Sequence, residues 1–66
     1  MLVEVSDREA EVLAALGAHL TNAQIASRLH LSVRTVEGHV SSLLRKYGVA
    51  DRRELAALVG PEAGPP

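Results

Sequence analysis

The 66-residue chain has no cysteine, no phenylalanine and no tryptophan, and only one tyrosine. Without cysteine there is no disulfide framework and no thiolate metal site. With a single aromatic ring, the core must be assembled from Leu, Val, Ile and Ala. No apolar run approaches the roughly 20 residues that a membrane helix needs. The opening MLVEV lacks the basic region of a signal peptide and runs straight into an acidic helix. These absences imply a soluble, cytoplasmic chain with no membrane partner. The length allows one domain at most, and a domain this small buries only about 60% of its unfolded surface. There are no internal repeats and no strand-like alternation.

Acid is also short where base is plentiful. The formal net charge of −1 hides an uneven distribution. Residues 1–16 hold Glu4, Asp7, Glu9 and Glu11 against Arg8, a balance of −3. Residues 28–53 hold Arg28, Arg34, Arg45, Lys46, Arg52 and Arg53 against Glu37 and Asp51, a balance of +4. A local basic face attracts a polyanion whatever the global sum is.

What is present is helix. Thr21–Gly48 contains two apolar helical patterns joined by the short break His30–Leu31–Ser32. Ile25, Ala26 and Leu29 share one face of the first. Val36, Val40, Leu43 and Tyr47, at i, i+4, i+7 and i+11, share one face of the second. Helices joined by so short a turn must cross steeply, which is a helix-turn-helix. Upstream, Ser6 with Glu9 at +3 is a capping box, with Val5 as its apolar staple. Val12, Leu13, Ala15 and Leu16 form the buried face that follows, and Gly17 weakens the helix end. Thr21 or Asn22 caps the second helix, Ser32 the third and Asp51, with Glu54 at +3, the fourth. Gly48 supplies a left-handed end to the third helix, with Val49 folding back. Leu55, Leu58 and Val59 give the fourth its apolar face, and Pro61 stops it. The expectation is an all-α, compact four-helix domain, with helices at about 7–18, 23–29, 33–47 and 52–59. Residues 1–60 form the domain and 61–66 a disordered tail.

These residues resemble the LuxR/NarL/FixJ-type DNA-binding domain. The likeness rests on Arg8, Glu9, Glu11-Val12-Leu13, Asn22, Ile25-Ala26, Leu29, Ser32, Thr35-Val36, His39-Val40, Lys46, Gly48-Val49 and Arg52, in one ungapped register over nearly all of residues 5–59. The resemblance implies a domain from the C-terminus of a bacterial transcription regulator, often a response regulator. It implies binding to double-stranded DNA as a dimer, with the third helix in the major groove, and an N-terminal receiver or ligand-binding domain in the full-length protein. Positions 19 and 30 often carry Gly in that family, so His19 and His30 are expected at positive φ. His39 matches a frequent family His and is read as a structural hydrogen bonder.

The solvent face of the third helix sorts by side-chain reach. Arg34, Glu37, Gly38 and Ser41 are the base-facing candidates. Arg34 is the only long cation at the front of the helix. Glu37 only accepts, and stands where the family often has Lys; pairing with Arg34 at i+3 is its alternative. Gly38 costs roughly 1 kcal/mol in mid-helix relative to Ala, and either permits close approach or is simply tolerated. Phosphate candidates are Arg28, Thr35, Ser42, Arg45, Lys46 and the N–H groups near Thr21 and Asn22. Arg52 is read as a structural tie to a carboxylate. Arg53, Ala56 and Ala57 form an outward face of the fourth helix, suited to a dimer contact.

The three histidines have no second ligand at metal spacing, so no metal site is expected. No Ser–His–acid arrangement, no glycine-rich phosphate loop and no room for a pocket among four short helices point to a non-enzyme without cofactor. Two further readings stay open. One is a helical protein–protein module that has lost DNA binding, favoured by Glu37, Gly38 and the acidic net charge. The other is a sigma-factor region-four-like helix-turn-helix, against which the helix after Gly48-Val49 speaks.

Overall fold

Each helix begins where a short oxygen-bearing side chain meets backbone N–H groups that have no helical partner. In the computed structural model, which describes residues 4–59, Ser6 opens α1 (Asp7–Gly17). Its hydroxyl accepts from the Glu9 N–H at 3.1 Å, and the Glu9 carboxylate accepts from the Ser6 N–H at 3.0 Å. Thr21, rather than Asn22, caps α2 (Asn22–Leu29), in a second capping box with Gln24. Ser32 caps α3 (Val33–Tyr47) by accepting the Thr35 N–H. Asp51 caps α4 (Arg52–Val59) by accepting the Glu54 N–H at 3.0 Å. The expected helices are present, with α1 one residue shorter and α2 one longer. The tail at 61–66 and the stop at Pro61 lie outside the described residues.

Three helices end in one way. His19, His30 and Gly48 adopt φ of 65°, 59° and 67°. The residue after each donates back five positions, Leu20 to Ala15, Leu31 to Ala26 and Val49 to Leu44, at 3.2, 2.9 and 3.1 Å. This is the long bond of a Schellman motif, with an aliphatic side chain following the left-handed residue. Leu20, Leu31 and Val49 all pack against the core. The expected positive φ at both histidines is observed.

Val12, Leu16, Ile25, Val36, Leu43 and Leu55 are completely buried, and they come from all four helices. The α3 helix touches each of the other three, and α1 also lies along α4. That second contact explains Gly17. A Cβ there would run into the carbonyl oxygen of Val59 and stand 3.0 Å from its carbonyl carbon. The glycine therefore allows α4 to close over α1, and is more than a weak helix former.

The phase of α4 differs from the sequence expectation. Ala56 is buried at 8% exposure and Leu58 is outward at 49%. Burial of α4 centres on Leu55 and Ala56, with Val59 half-buried, so Leu58 replaces Ala56 on the outer face beside Arg53 and Ala57. No helix among the described residues is long and apolar enough to cross a membrane.

A histidine in the left-handed region carries a Cβ–carbonyl penalty that glycine avoids, partly offset by glycine's freedom in the unfolded chain. His30 is exposed. His30→Gly should therefore stabilise the domain by up to ~1 kcal/mol. Thermal melting reads this, and an unchanged or lower Tm would contradict it.

Candidate nucleic-acid interface

The third helix has a polar side because its apolar residues recur with helical period. Burying Val36, Val40 and Leu43 turns Arg34, Glu37, Gly38, Ser41 and Arg45 into the solvent, where all five are exposed. The four base-facing candidates therefore lie together in one stripe, with Arg45 extending it. Val33, the first residue of the helix, is also exposed, at 42%, although it lies in phase with Val36 and Val40.

Glu37 makes no ion pair among the described residues; the expected alternative with Arg34 does not form. A Cβ on Gly38 would have nothing within 4 Å. Packing within the protein does not demand glycine there.

The phosphate candidates divide. Arg28 is exposed on α2, beside a shallow groove with Leu20, Gln24 and Ser27. The Thr21 hydroxyl and N–H are occupied by Gln24. This leaves the N–H groups of Asn22 and Ala23 as the open donors at the start of α2. The Asn22 side chain is engaged: its Oδ1 accepts from Arg52 Nη1 at 2.7 Å. Arg52 also donates through Nη2 to the Leu20 carbonyl at 2.7 Å. Its structural role is as expected, but its partners are an amide and a carbonyl, not a carboxylate. Thr35 shares its hydroxyl with Ser32 at 2.9 Å.

Ser42 and Lys46 turn away from the stripe. Both donate to Glu9, Ser42 Oγ to Oε2 at 2.8 Å and Lys46 Nζ to Oε1 at 2.7 Å. The Glu9 residue is buried at 7% exposure. Its carboxylate joins the cap of α1 to the second half of α3. The Lys46 ammonium, then the Ser6 N–H and the Ser42 hydroxyl, pull the Glu9 carboxyl down from 4.5 to about 2. These long-range bonds were invisible in the capping-box spacing. Arg8 makes another, donating to the Leu29 carbonyl at 3.4 Å while pairing with Glu11 at 3.2 Å. His39 is half-buried, and the structural hydrogen bond expected of its ring is not formed among the described residues.

The expectation that no pocket could form needs correction. An open cleft of about 350 Å³ lies between the end of α1 and α4, lined by Leu16, His19, Leu20, Thr21, Arg52, Arg53 and Ala56. Two of its polar groups, Thr21 and Arg52, are committed to the capping box and to the Asn22–Leu20 tie.

Two helices joined through His30–Leu31–Ser32, the second presenting a polar stripe outward, define a helix-turn-helix domain. The chain belongs to the family described as "Bacterial regulatory proteins, luxR family", whose profile matches residues 4–59. It is similar to the transcriptional regulatory protein LnrK of Bacillus subtilis (strain 168), with 44% identity over 55 residues, covering 83% of this chain and 25% of LnrK. It is also similar to the response regulator protein VraR of Staphylococcus aureus (strain Mu3 / ATCC 700698), with 38% identity over 50 residues, covering 76% of this chain and 24% of VraR. The chain thus spans about a quarter of the length of these curated relatives.

Because the folded pKa of Glu9 lies below its ordinary value, the stability this group contributes is complete above pH 4.5 and is lost as pH falls toward about 2. Lys46→Ala removes the first of its three donors. The variant should melt at a lower temperature at pH 7 and begin acid unfolding at a higher pH. Melts followed by circular dichroism from pH 7 to pH 2 test this, and coincident curves for the two proteins would refute it.

Proposed function

We propose that this domain binds double-stranded DNA sequence-specifically in transcriptional regulation, with α3 in the major groove. The observation that carries this reading is the unbroken exposed stripe of α3, opposite its buried face. A major groove about 12 Å wide admits one α-helix. Arg34 can fork onto guanine O6 and N7. Glu37, an acceptor without a partner among the described residues, suits the cytosine amino group. Gly38 lets the helix axis approach the bases, and Ser41 reaches a base edge one turn further on. Arg28, Arg45 and the open N–H groups at the start of α2 serve the phosphates. Family membership and the names of the relatives LnrK and VraR support the same reading.

The finer assembly is part of the proposal. Two copies meet through the outer face of α4 on a two-fold site, using Arg53, Ala57 and Leu58. Ala56 leaves that interface because its methyl is buried. In a longer protein, a receiver or ligand-binding domain stands N-terminal to this one, and the whole acts in the cytoplasm. The name of VraR as a response regulator favours the receiver.

Selection from a random duplex library, followed by salt titration on the enriched site, tests the main claim. With Arg28 and Arg45 on phosphates, log affinity against log salt should fall with a slope of about −2 per subunit. Adding Lys46 to that set would steepen it by about one. No binding to any duplex at low salt would overturn the proposal in favour of a protein–protein module.

Gly38 provides a second test. Gly38→Ala should stabilise the free domain by roughly 1 kcal/mol, since the added methyl meets nothing. The same methyl should weaken binding to the selected site several-fold. Unchanged affinity would remove the close-approach role.

A further inference from the structure

The first turn of α2 contains no acidic residue, although Asp or Glu there would suit the positive end of the helix. Its first residue, Asn22, is half-buried and meets a cation: Oδ1 accepts from Arg52 Nη1 at 2.7 Å. An aspartate in that place would suit the helix dipole and turn the hydrogen bond into an ion pair. Folding alone therefore favours the acid, and the amide calls for another reason.

What a carboxamide has and a carboxylate lacks is an NH2 group. Arg52 decides where that group goes. The guanidinium is itself anchored to backbone: Nη2 donates to the Leu20 carbonyl at 2.7 Å, and the Leu20 N–H closes the end of α1 on Ala15. A guanidinium only donates, so the carboxamide must turn its oxygen toward Arg52. The other end, Nδ2, donates to nothing among the described residues. No side-chain nitrogen among them is both buried and without a partner, so Nδ2 reaches solvent. It belongs to the same residue as one of the two open N–H groups at the start of α2.

We propose that Asn22 binds a DNA phosphate through Nδ2, and that Arg52 is a positioning residue acting through it, holding the carboxamide with its donor end free. This rests on the reading of the start of α2 as a phosphate contact, and deepens it by naming the side chain that makes the contact and the one that aims it.

The test uses the enriched duplex and the 66-residue chain. Asn22→Asp keeps the contact with Arg52 and exchanges the donor for a second carboxylate oxygen. Its Tm should equal or exceed that of the parent, while its affinity for the duplex should fall about ten-fold or more. Gln24→Glu controls for charge, adding the same negative charge in the same turn while preserving the capping box with Thr21. Its loss should be several-fold smaller. Arg52→Met removes both guanidinium contacts. Asn22→Ala should weaken binding several-fold in the parent and hardly at all in Arg52→Met, where the amide is no longer aligned. Should Arg52→Met fail to fold, the comparison of Asn22→Asp with Gln24→Glu decides alone. Equal losses in those two variants would overturn the phosphate contact of Asn22 while DNA binding stands. Additive losses from Asn22→Ala and Arg52→Met would overturn the positioning role. If the parent binds no duplex at all, the phosphate reading of α2 fails and this assignment with it.

Discussion

A carboxylate removed from water must be held by donors or charges, because its hydration is lost. Glu9 meets that demand with three donors: the Ser6 N–H from its own helix cap, and the Ser42 hydroxyl and Lys46 ammonium from α3. The arrangement does more than satisfy one charge. Ser42 and Lys46 are four residues apart, so they project from one side of α3. Fixing both on Glu9 limits rotation of α3 about its own axis, as the burial of Val36, Val40 and Leu43 does from the adjoining side. The outward position of Arg34, Glu37, Gly38, Ser41 and Arg45 is a consequence of that double constraint.

The same node alters the electrostatics of the face. By residue count, the segment from Arg28 to Arg53 is well supplied with cations. Two of them are paired within the protein: Lys46, though exposed, with Glu9, and Arg52 with Asn22 and Leu20. Those left without a partner among the described residues are arginines, whose planar fork suits both guanine edges and phosphates better than a point charge does. The interface proposed for α3 would depend on fewer, more directional contacts than its charge implies, with Glu37, unpaired among the described residues, at its centre. On the proposed reading such a face would favour discrimination over indiscriminate attraction, since a carboxylate near phosphates is tolerated where a base amino group answers it.

The helix ends show a comparable economy. Two of three left-handed positions carry histidine where glycine would be relaxed, yet Leu20 and Leu31 after them reach the core as Val49 does after Gly48. The core anchors behind each turn hold the turn in place despite the Cβ penalty. Glycine is kept where backbone approaches backbone, at Gly17 against Val59. At Gly38 nothing in the protein requires it, and the residue lowers helix stability on the face that meets the outside.

Much of the fold was legible because its signals are local. A cap needs one side chain and an N–H three residues away, so Ser6–Glu9, Ser32–Thr35 and Asp51–Glu54 could be read directly, and the stripe of α3 followed from periodicity along a helix of four turns. The His19 and His30 conformations came from the family resemblance and not from spacing. Where the sequence was ambiguous, the helix was short or the partner distant. An eight-residue helix such as α4 contains too few turns for its apolar residues to set a phase, and only contact with α1 and α3 decided that Ala56 goes in and Leu58 out. Glu9, Ser42, Lys46, Arg52 and Asn22 each satisfy a local pattern equally well exposed or engaged. Their pairings cross 30 to 37 residues of chain, so they exist only once packing has brought the helices together. The sequence by itself determined four helices, their caps and the composition of the outward face of α3. Tertiary structure decided which polar groups remain free to act on that face, because a donor is free only when no other part of the fold has claimed it.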